Sequence, residues 1–166
     1  MDIIPAGEHG ATLSFDEDEA AVMRDLTEQL HDIVTQDDAT DPVVGRLYPP
    51  AHDSAEEERK YRELVGSELK GGKLQAVDTL QRALGESGPV RVMIREQDVD
   101  PWLTALTDMR LAIGTRMDVT EEKMNEELDP SDPESAPMSV LHWLGWVQQS
   151  LIEATSGVLP PRLEEE

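Results

Sequence analysis

The chain has 166 residues, of which 36 are Asp or Glu and 14 are Lys or Arg, so its formal charge at pH 7 is −22. This length predicts one domain. The acidic excess argues against a broad nucleic-acid surface or an anionic-membrane surface, because both need clustered Lys and Arg. No cysteine is present, which excludes disulfides, thiolate metal sites and thiol nucleophiles.

The first residues contain neither the basic nor the apolar segment of a signal peptide. No apolar run approaches the roughly 20 residues that a membrane span needs. We therefore expect a cytoplasmic protein without a membrane partner. Charge is uneven along the chain. Segment 1–45 contains one basic and 12 acidic residues, segment 46–95 contains nine basic and eight acidic residues, and segment 96–166 contains four basic and 16 acidic residues. Two acidic ends thus flank a nearly neutral middle.

Six stretches have the apolar spacing and the capping residues of helices. They are residues 17–34, a short helix that starts at 41–42 and ends at the prolines 49 and 50, then 54–85, 100–117, a short helix from 120 to about 128, and 138–155. Ser14 or Asp16 caps the first helix, in two alternative registers. Gly71 and Gly72 either break or bend the third. The helix over 100–117 has the broadest apolar arc and is expected to be the central one.

Two segments alternate apolar and polar residues as short strands do, one over 11–15 and one over 90–95. A lone pair of strands is marginally stable, so this ribbon is expected to lean on the helices. The predicted fold is therefore mainly α. It is a single-domain helical bundle of about six helices with a small two-stranded β ribbon, over residues 1–155. Residues 156–166 are predicted to form a flexible acidic tail.

Two Trp-containing motifs carry a family resemblance. They read Trp102-Leu103-x-Ala105-Leu106-x-Asp108-x-Arg110-Leu111-x-x-Gly114-Thr115-Arg116 and His142-Trp143-Leu144-Gly145-Trp146-Val147-Gln148-Gln149-Ser150-Leu151. The segment Asp41–Pro49 and the Lys73-Leu74 junction fit the same pattern. From about Leu13 to Leu151 the chain resembles the actinobacterial helical proteins long known as a domain of unknown function, now often labelled AosR-type oxidative stress transcriptional regulators.

The resemblance implies a role in the regulation of oxidative-stress transcription. A redox sensor of the usual kind needs an exposed thiolate, and this chain has no cysteine. Met23, Met109 and Met117 lie on apolar stripes and are interpreted as core residues. We therefore expect the protein to act through a protein partner, a sigma factor or RNA polymerase, without thiol sensing of its own.

Arg110 falls inside the apolar arc of the central helix, and Arg116 borders its other edge. An unpaired buried guanidinium is costly, so Arg110 needs a partner. One interpretation is a structural ion pair with an acid from another helix. The other is a pocket for a small anion or a partner carboxylate, built from Arg110 and Arg116. The second predicts a small-ligand binder or an enzyme as the alternative function.

The last helix carries His142, Trp146 and Gln149 on one face, outside its inner stripe. Because exposed Trp is costly, Trp146 either packs against another helix or belongs to an interaction surface. Leu111, opposite the main arc of the central helix, has the same two interpretations. These four residues are the predicted partner surface.

Other candidate chemistry is weak. Glu28 and His31 have the spacing of half a di-iron ligand set, without a second pair, and lie on a polar helix face. The acidic loop 129–134 lacks the glycine of a calcium loop, and its glutamate does not have the spacing of that loop's terminal ligand. The sequence contains no phosphate-binding loop, no nucleophile elbow and no zinc-protease motif. We expect no enzymatic activity, no cofactor and no bound metal.

Direct DNA binding is the remaining alternative. Two helices joined at Gly71-Gly72 could form a helix-turn-helix, with Lys73, Gln75, Thr79 and Arg82 facing a groove. Nearby glutamates cancel this charge locally, and the acidic ends of the chain repel phosphates. We therefore expect a non-enzymatic protein that binds other proteins.

Overall fold

The structure, a computed structural model, describes residues 1–157. Within that range it contains six helices and three strands. In chain order these are β1 (Asp2–Ala6), β2 (Gly10–Phe15), α1 (Glu17–Gln36), α2 (Pro42–Leu47), α3 (Ala55–Leu84), β3 (Val90–Ile94), α4 (Glu96–Arg116), α5 (Glu121–Asn125) and α6 (Ser135–Thr155). The mainly α fold class is confirmed. The predicted acidic tail falls, from residue 158 onward, outside the described residues.

Side-chain caps fix the starts of four helices where the sequence places them. Asp16 and Glu19 form a reciprocal capping box at α1, which settles the choice between the two predicted registers. Asp41 caps α2, with Pro42 at the first helical position. Ser54 caps α3 and Thr120 caps α5. Each cap satisfies backbone N–H groups that have no partner within the helix.

The strands form an antiparallel sheet in the order β1-β2-β3. The predicted pair, β2 and β3, is present with Leu13 opposite Val92. A third strand, β1, extends the predicted ribbon on the other side of β2, with Ile3 opposite Leu13. β2 is therefore the central strand. Its inward side chains are buried: Ala11, Leu13 and Phe15.

Two helices begin earlier than the sequence predicts. α4 starts at Glu96, so Pro101 lies inside its second turn and does not open it. Arg95 takes the N-cap position, and two acidic residues of the first turn, Glu96 and Asp98, favour this start through the helix dipole. α6 starts at Ser135, ahead of the predicted Met138. In the opposite direction, α5 ends at Asn125, short of the predicted Leu128.

The core lies where α4 meets the other elements. α4 packs against α1, α2, α3 and α6, and α6 also contacts β1 and β2. Trp102 on α4 is almost fully buried, as are Met23 and Met109. Phe15 of β2 contacts Trp143 of α6, with ring centroids 5.7 Å apart. The central position that the sequence predicts for α4 is observed.

α3 is one continuous helix through Gly71 and Gly72. Its buried side chains all lie in the last third of the helix: Ala76, Val77, Leu80 and Leu84. The earlier turns lie along the surface, where Leu64 is 79% exposed. At the other end, Arg24 of α1 donates hydrogen bonds to the carbonyl oxygens of Leu84, Gly85 and Gly88. A cation there satisfies carbonyl groups at the C-terminus of α3 and complements its dipole.

Candidate functional site

A buried ion pair joins α3 to α4. The ammonium nitrogen of Lys73 lies 3.0 and 2.9 Å from the two carboxylate oxygens of Asp108. The side chains are 16% and 8% exposed. The same nitrogen lies 5.6 Å from the ring centroid of Tyr48, within cation–π range. Lys73 therefore points inward and is not part of a groove-facing row of basic residues.

Burial alters two pKa values in this cluster. Burial raises the pKa of Asp108, and the hydrogen bonds and charge of Lys73 oppose that increase. Burial also raises the pKa of Tyr48 to about 12, with further contributions from the negative charges of Asp37 and Asp108. The Tyr48 hydroxyl is buried and has no hydrogen-bond partner among residues 1–157. The cluster is thus tightly enclosed, which is typical of a structural ion pair.

Arg110 does not form the predicted ion pair. Its Nη1 donates to Oε1 of Gln148 on α6 at 2.8 Å, and no described carboxylate lies within ion-pair distance. Its Nε is buried without a hydrogen-bond partner in the described part of the chain. The guanidinium lies against α6 at Gly145, where a Cβ would stand 3.6 Å from it. Because the facing residue is a neutral amide, the charge of Arg110 has no acidic partner among residues 1–157.

Arg116 is separated from Arg110 by its own ion pair. Two nitrogens of its guanidinium donate to both carboxylate oxygens of Asp41, each at 2.8 Å. The Arg116 hydrogen bond and the backbone N–H of Val43 both lower the pKa of Asp41. Arg116 thereby holds the N-cap of α2 against the end of α4. Arg110 and Arg116 line different cavities, so the predicted joint pocket is not formed.

The residues of the predicted partner surface have different environments. Trp146 is 52% exposed on the outer face of α6. Gln149, also exposed, donates to Glu153 at 2.8 Å. His142 is partly buried, and its Nε2 donates to the carbonyl oxygen of Met124 at 3.3 Å. Leu111 packs partly buried against the core on α4. Trp146 and Gln149 are therefore the surface members of the predicted set.

The remaining candidates are the metal site, the acidic loop and the helix-turn-helix. Among residues 1–157 no group of three or more His, Asp or Glu side chains is arranged to hold a metal ion. Asp129 and Asp132 of the acidic loop accept hydrogen bonds from nearby residues of the same segment. The helix-turn-helix interpretation needs a turn at Gly71-Gly72, and α3 continues through both residues. In the same range, no helix has the length and apolar character needed to cross a membrane.

Sequence reasoning missed two features. Lys73 was interpreted as a surface cation, and Asp108 was not singled out. The available signal was the position of Asp108 beside the apolar arc of the central helix, which required a partner as Arg110 did. Arg46 of α2 was also missed. It lines an open cavity together with Arg110.

Comparison with protein-family models matches residues 1–155 to a family described as a domain of unknown function, DUF2017. No match was found among curated proteins or among solved structures.

Proposed function

We propose that this chain, which belongs to the DUF2017 family, is a non-enzymatic protein that binds another protein through the outer face of α6. The observation that carries the proposal is the exposure of Trp146, at 52%, on a helix whose opposite face is fully packed. Large aromatic side chains in the centre of a contact contribute most to the affinity of protein–protein complexes. Ile152, later on the same helix, is also exposed, at 43%.

The charge of the chain specifies the chemistry of the partner. At −22 the protein attracts positively charged surfaces over distances near the Debye length and repels acidic ones. The partner surface is therefore a basic one surrounding an apolar pocket that receives the indole. Such complementarity raises the association rate and makes it sensitive to salt.

The resemblance to AosR-type regulators supports a partner in oxidative-stress transcription, either a sigma factor or RNA polymerase. The chain has no cysteine, and two of its methionines, Met23 and Met109, are buried in the core. This protein therefore acts by binding its partner, without thiol sensing of its own.

The proposal is tested by titrating the purified protein against RNA polymerase and the sigma factors of its host, at low and high salt. Trp146→Gln is expected to weaken binding by about tenfold or more, which is the usual loss at a central aromatic contact. Leu64→Gln is the matched control, because Leu64 is exposed on α3, a different helix. Equal affinities of the wild type and Trp146→Gln, or no binding to RNA polymerase or to any of the sigma factors, would contradict the proposal.

A further inference from the structure

An open cavity of about 600 Å³ lies between α2, α4 and α6. Its volume is within the range of small-molecule sites, which measure roughly 300–1,000 Å³. The lining is partly apolar, and it includes two arginines from different helices, Arg46 of α2 and Arg110 of α4. The apolar residues include Leu111, Val119, Met124 and Leu141.

Arg110 is held in place by a chain of neutral groups. Nε2 of Gln148 donates to the Thr107 hydroxyl at 2.7 Å, which turns the Gln148 carbonyl oxygen toward Arg110. Nη1 uses this one acceptor, and Nε is buried with none in the described chain. A guanidinium presents five N–H donors and favours bidentate contact with an oxyanion. The side chain is thus held in place and has no negatively charged partner within the described part of the chain.

Arg46 adds a second positive charge to the same cavity. It is exposed, and no hydrogen bond or ion pair joins its side chain to another residue of the described range. Most of the Lys and Arg side chains in that range are paired with acids, as expected for so acidic a chain. Asp118 also lines the cavity and forms no ion pair with either arginine. Two cations without a contacting acid therefore share one partly apolar cavity.

We propose that this cavity binds a small organic anion. Its carboxylate or phosphate group contacts Arg110 and Arg46, and its apolar body lies on Leu111, Met124 and Leu141. The oxyanion supplies the negative charge that Arg110 lacks, and the apolar lining distinguishes such a ligand from a free inorganic ion. This site is independent of the protein-binding face at Trp146 and extends the function beyond it.

The test uses three probes that share a hexyl chain: heptanoate, hexyl phosphate and hexanol. Titrations of the intact protein are followed by two-dimensional NMR. At least one of the two anions is expected to bind saturably, with hexanol weaker by about tenfold or more. The stronger anion identifies the ligand as a carboxylate or as a phosphate ester. No saturable binding of either anion at about 10 mM, or equal binding of hexanol, would overturn the proposal.

Variants locate the site. Arg46→Gln and Arg110→Met are each expected to lower the affinity for the anion by about tenfold, because each removes a charged donor. Arg91→Gln is the matched control: Arg91 is exposed on β3, and its side chain has no hydrogen bond or ion pair within residues 1–157. If Arg110→Met does not fold, Arg46→Gln decides, since the Arg46 side chain forms no hydrogen bond or ion pair within residues 1–157. Anion affinity unchanged in Arg46→Gln, or weakened equally in Arg91→Gln, contradicts the assignment. Trp146→Gln leaves anion binding unchanged, which separates this test from that of the protein partner.

Discussion

Lys73 and Asp108 are paired through both carboxylate oxygens at the junction of α3 and α4. The pair lies at the point along α3 where the helix passes from the surface into the core, since the buried residues of α3 begin at Ala76. On the other side of Lys73 is the ring of Tyr48, which follows α2. Lys73 thus links α3 to α4 and to the residue that ends α2.

Lys73→Met is expected to lower the free energy of unfolding by about 3–5 kcal/mol, because it leaves Asp108 buried without a cation. Urea unfolding at neutral pH measures the loss. Arg110→Met is the control, since Arg110 has no carboxylate partner within residues 1–157, and its effect is expected to stay within about 1 kcal/mol. Similar losses in the two variants would show that Arg110 has an ionic partner which the structure does not place there.

Tyr48→Phe is expected to stabilise the protein by about 1 kcal/mol. The Tyr48 hydroxyl is buried with no partner among the described residues, so its removal relieves a desolvation penalty without losing a hydrogen bond. The same variant removes the tyrosine whose pKa burial raises to about 12, and absorbance titration detects its loss. Tyr61→Phe, at a partly exposed position on α3, provides the comparison. A loss of stability in Tyr48→Phe would mean that the hydroxyl has an acceptor.

Gly10→Ala is expected to lower the free energy of unfolding by about 2 kcal/mol or more. A Cβ at this position would stand 2.7 Å from the carbonyl oxygen of Ala6 and 2.8 Å from that of Ile94, and both are backbone atoms of the neighbouring strands. Gly45→Ala is the matched control, because the space around Gly45 in α2 is open. Because alanine has a higher helix propensity than glycine, Gly45→Ala is expected to raise the free energy of unfolding by up to about 1 kcal/mol. Thermal unfolding of both variants distinguishes steric conflict from a general effect of added methyl groups.

Asp41 is expected to contribute to the loss of stability in acid. Its folded pKa lies below the ordinary value of 3.8 because Arg116 and the backbone N–H of Val43 bind the carboxylate. Below about pH 4 the unfolded state therefore takes up the proton first, and the free energy of unfolding falls as pH decreases through the folded pKa. Asp41→Asn keeps an N-cap residue and removes the charge. The free energy of unfolding of this variant is therefore expected to fall less steeply as pH decreases.

The measurement is the urea midpoint between about pH 5 and pH 2. Glu86→Gln is the control, because Glu86 is exposed and its side chain has no hydrogen bond or ion pair in the described range. Parallel curves for the wild type and Asp41→Asn would show that the ion pair with Arg116 does not contribute in solution.

The features that the sequence predicted correctly depend on residues that are close together in the sequence. The caps at Asp16, Asp41 and Ser54 and the alternation of β2 and β3 are local signals, and all are present. β1 was missed because its exposed strand residues carry little alternation, and Pro5 argues against a strand. The start of α4 was misplaced because Asp100-Pro101 has the composition of a helix start, while the true start at Arg95 has no side-chain cap.

The candidate site depended on tertiary relationships that periodicity does not encode. The angle of Arg110 on α4 predicted that it needed a partner, and only the packing of α6 shows that Gln148 is that partner. Arg116 was assigned to the same pocket from its helix alone, yet Asp41 lies 75 positions away in sequence. Arg46 was overlooked because an arginine on a short helix is usually solvated. Its relation to Arg110 arises from the packing of α2 on α4.

At 1.5 Å per residue, an uninterrupted α3 extends for about 45 Å, and none of its side chains before Ala76 is fully buried. Its early turns carry i,i+4 ion pairs such as Arg59–Glu63, together with a hydrogen bond from Arg62 to the carbonyl oxygen of Tyr48. Such pairs contribute only a few tenths of a kcal/mol each, far less than the side chains anchored beyond Ala76. Backbone opening is therefore expected to be easier at the start of α3 than at its end. Amide protons near Ser54 are expected to exchange with solvent faster than those near Leu84. The start of α3 is therefore expected to open locally without unfolding of the whole molecule, which amide hydrogen exchange measures.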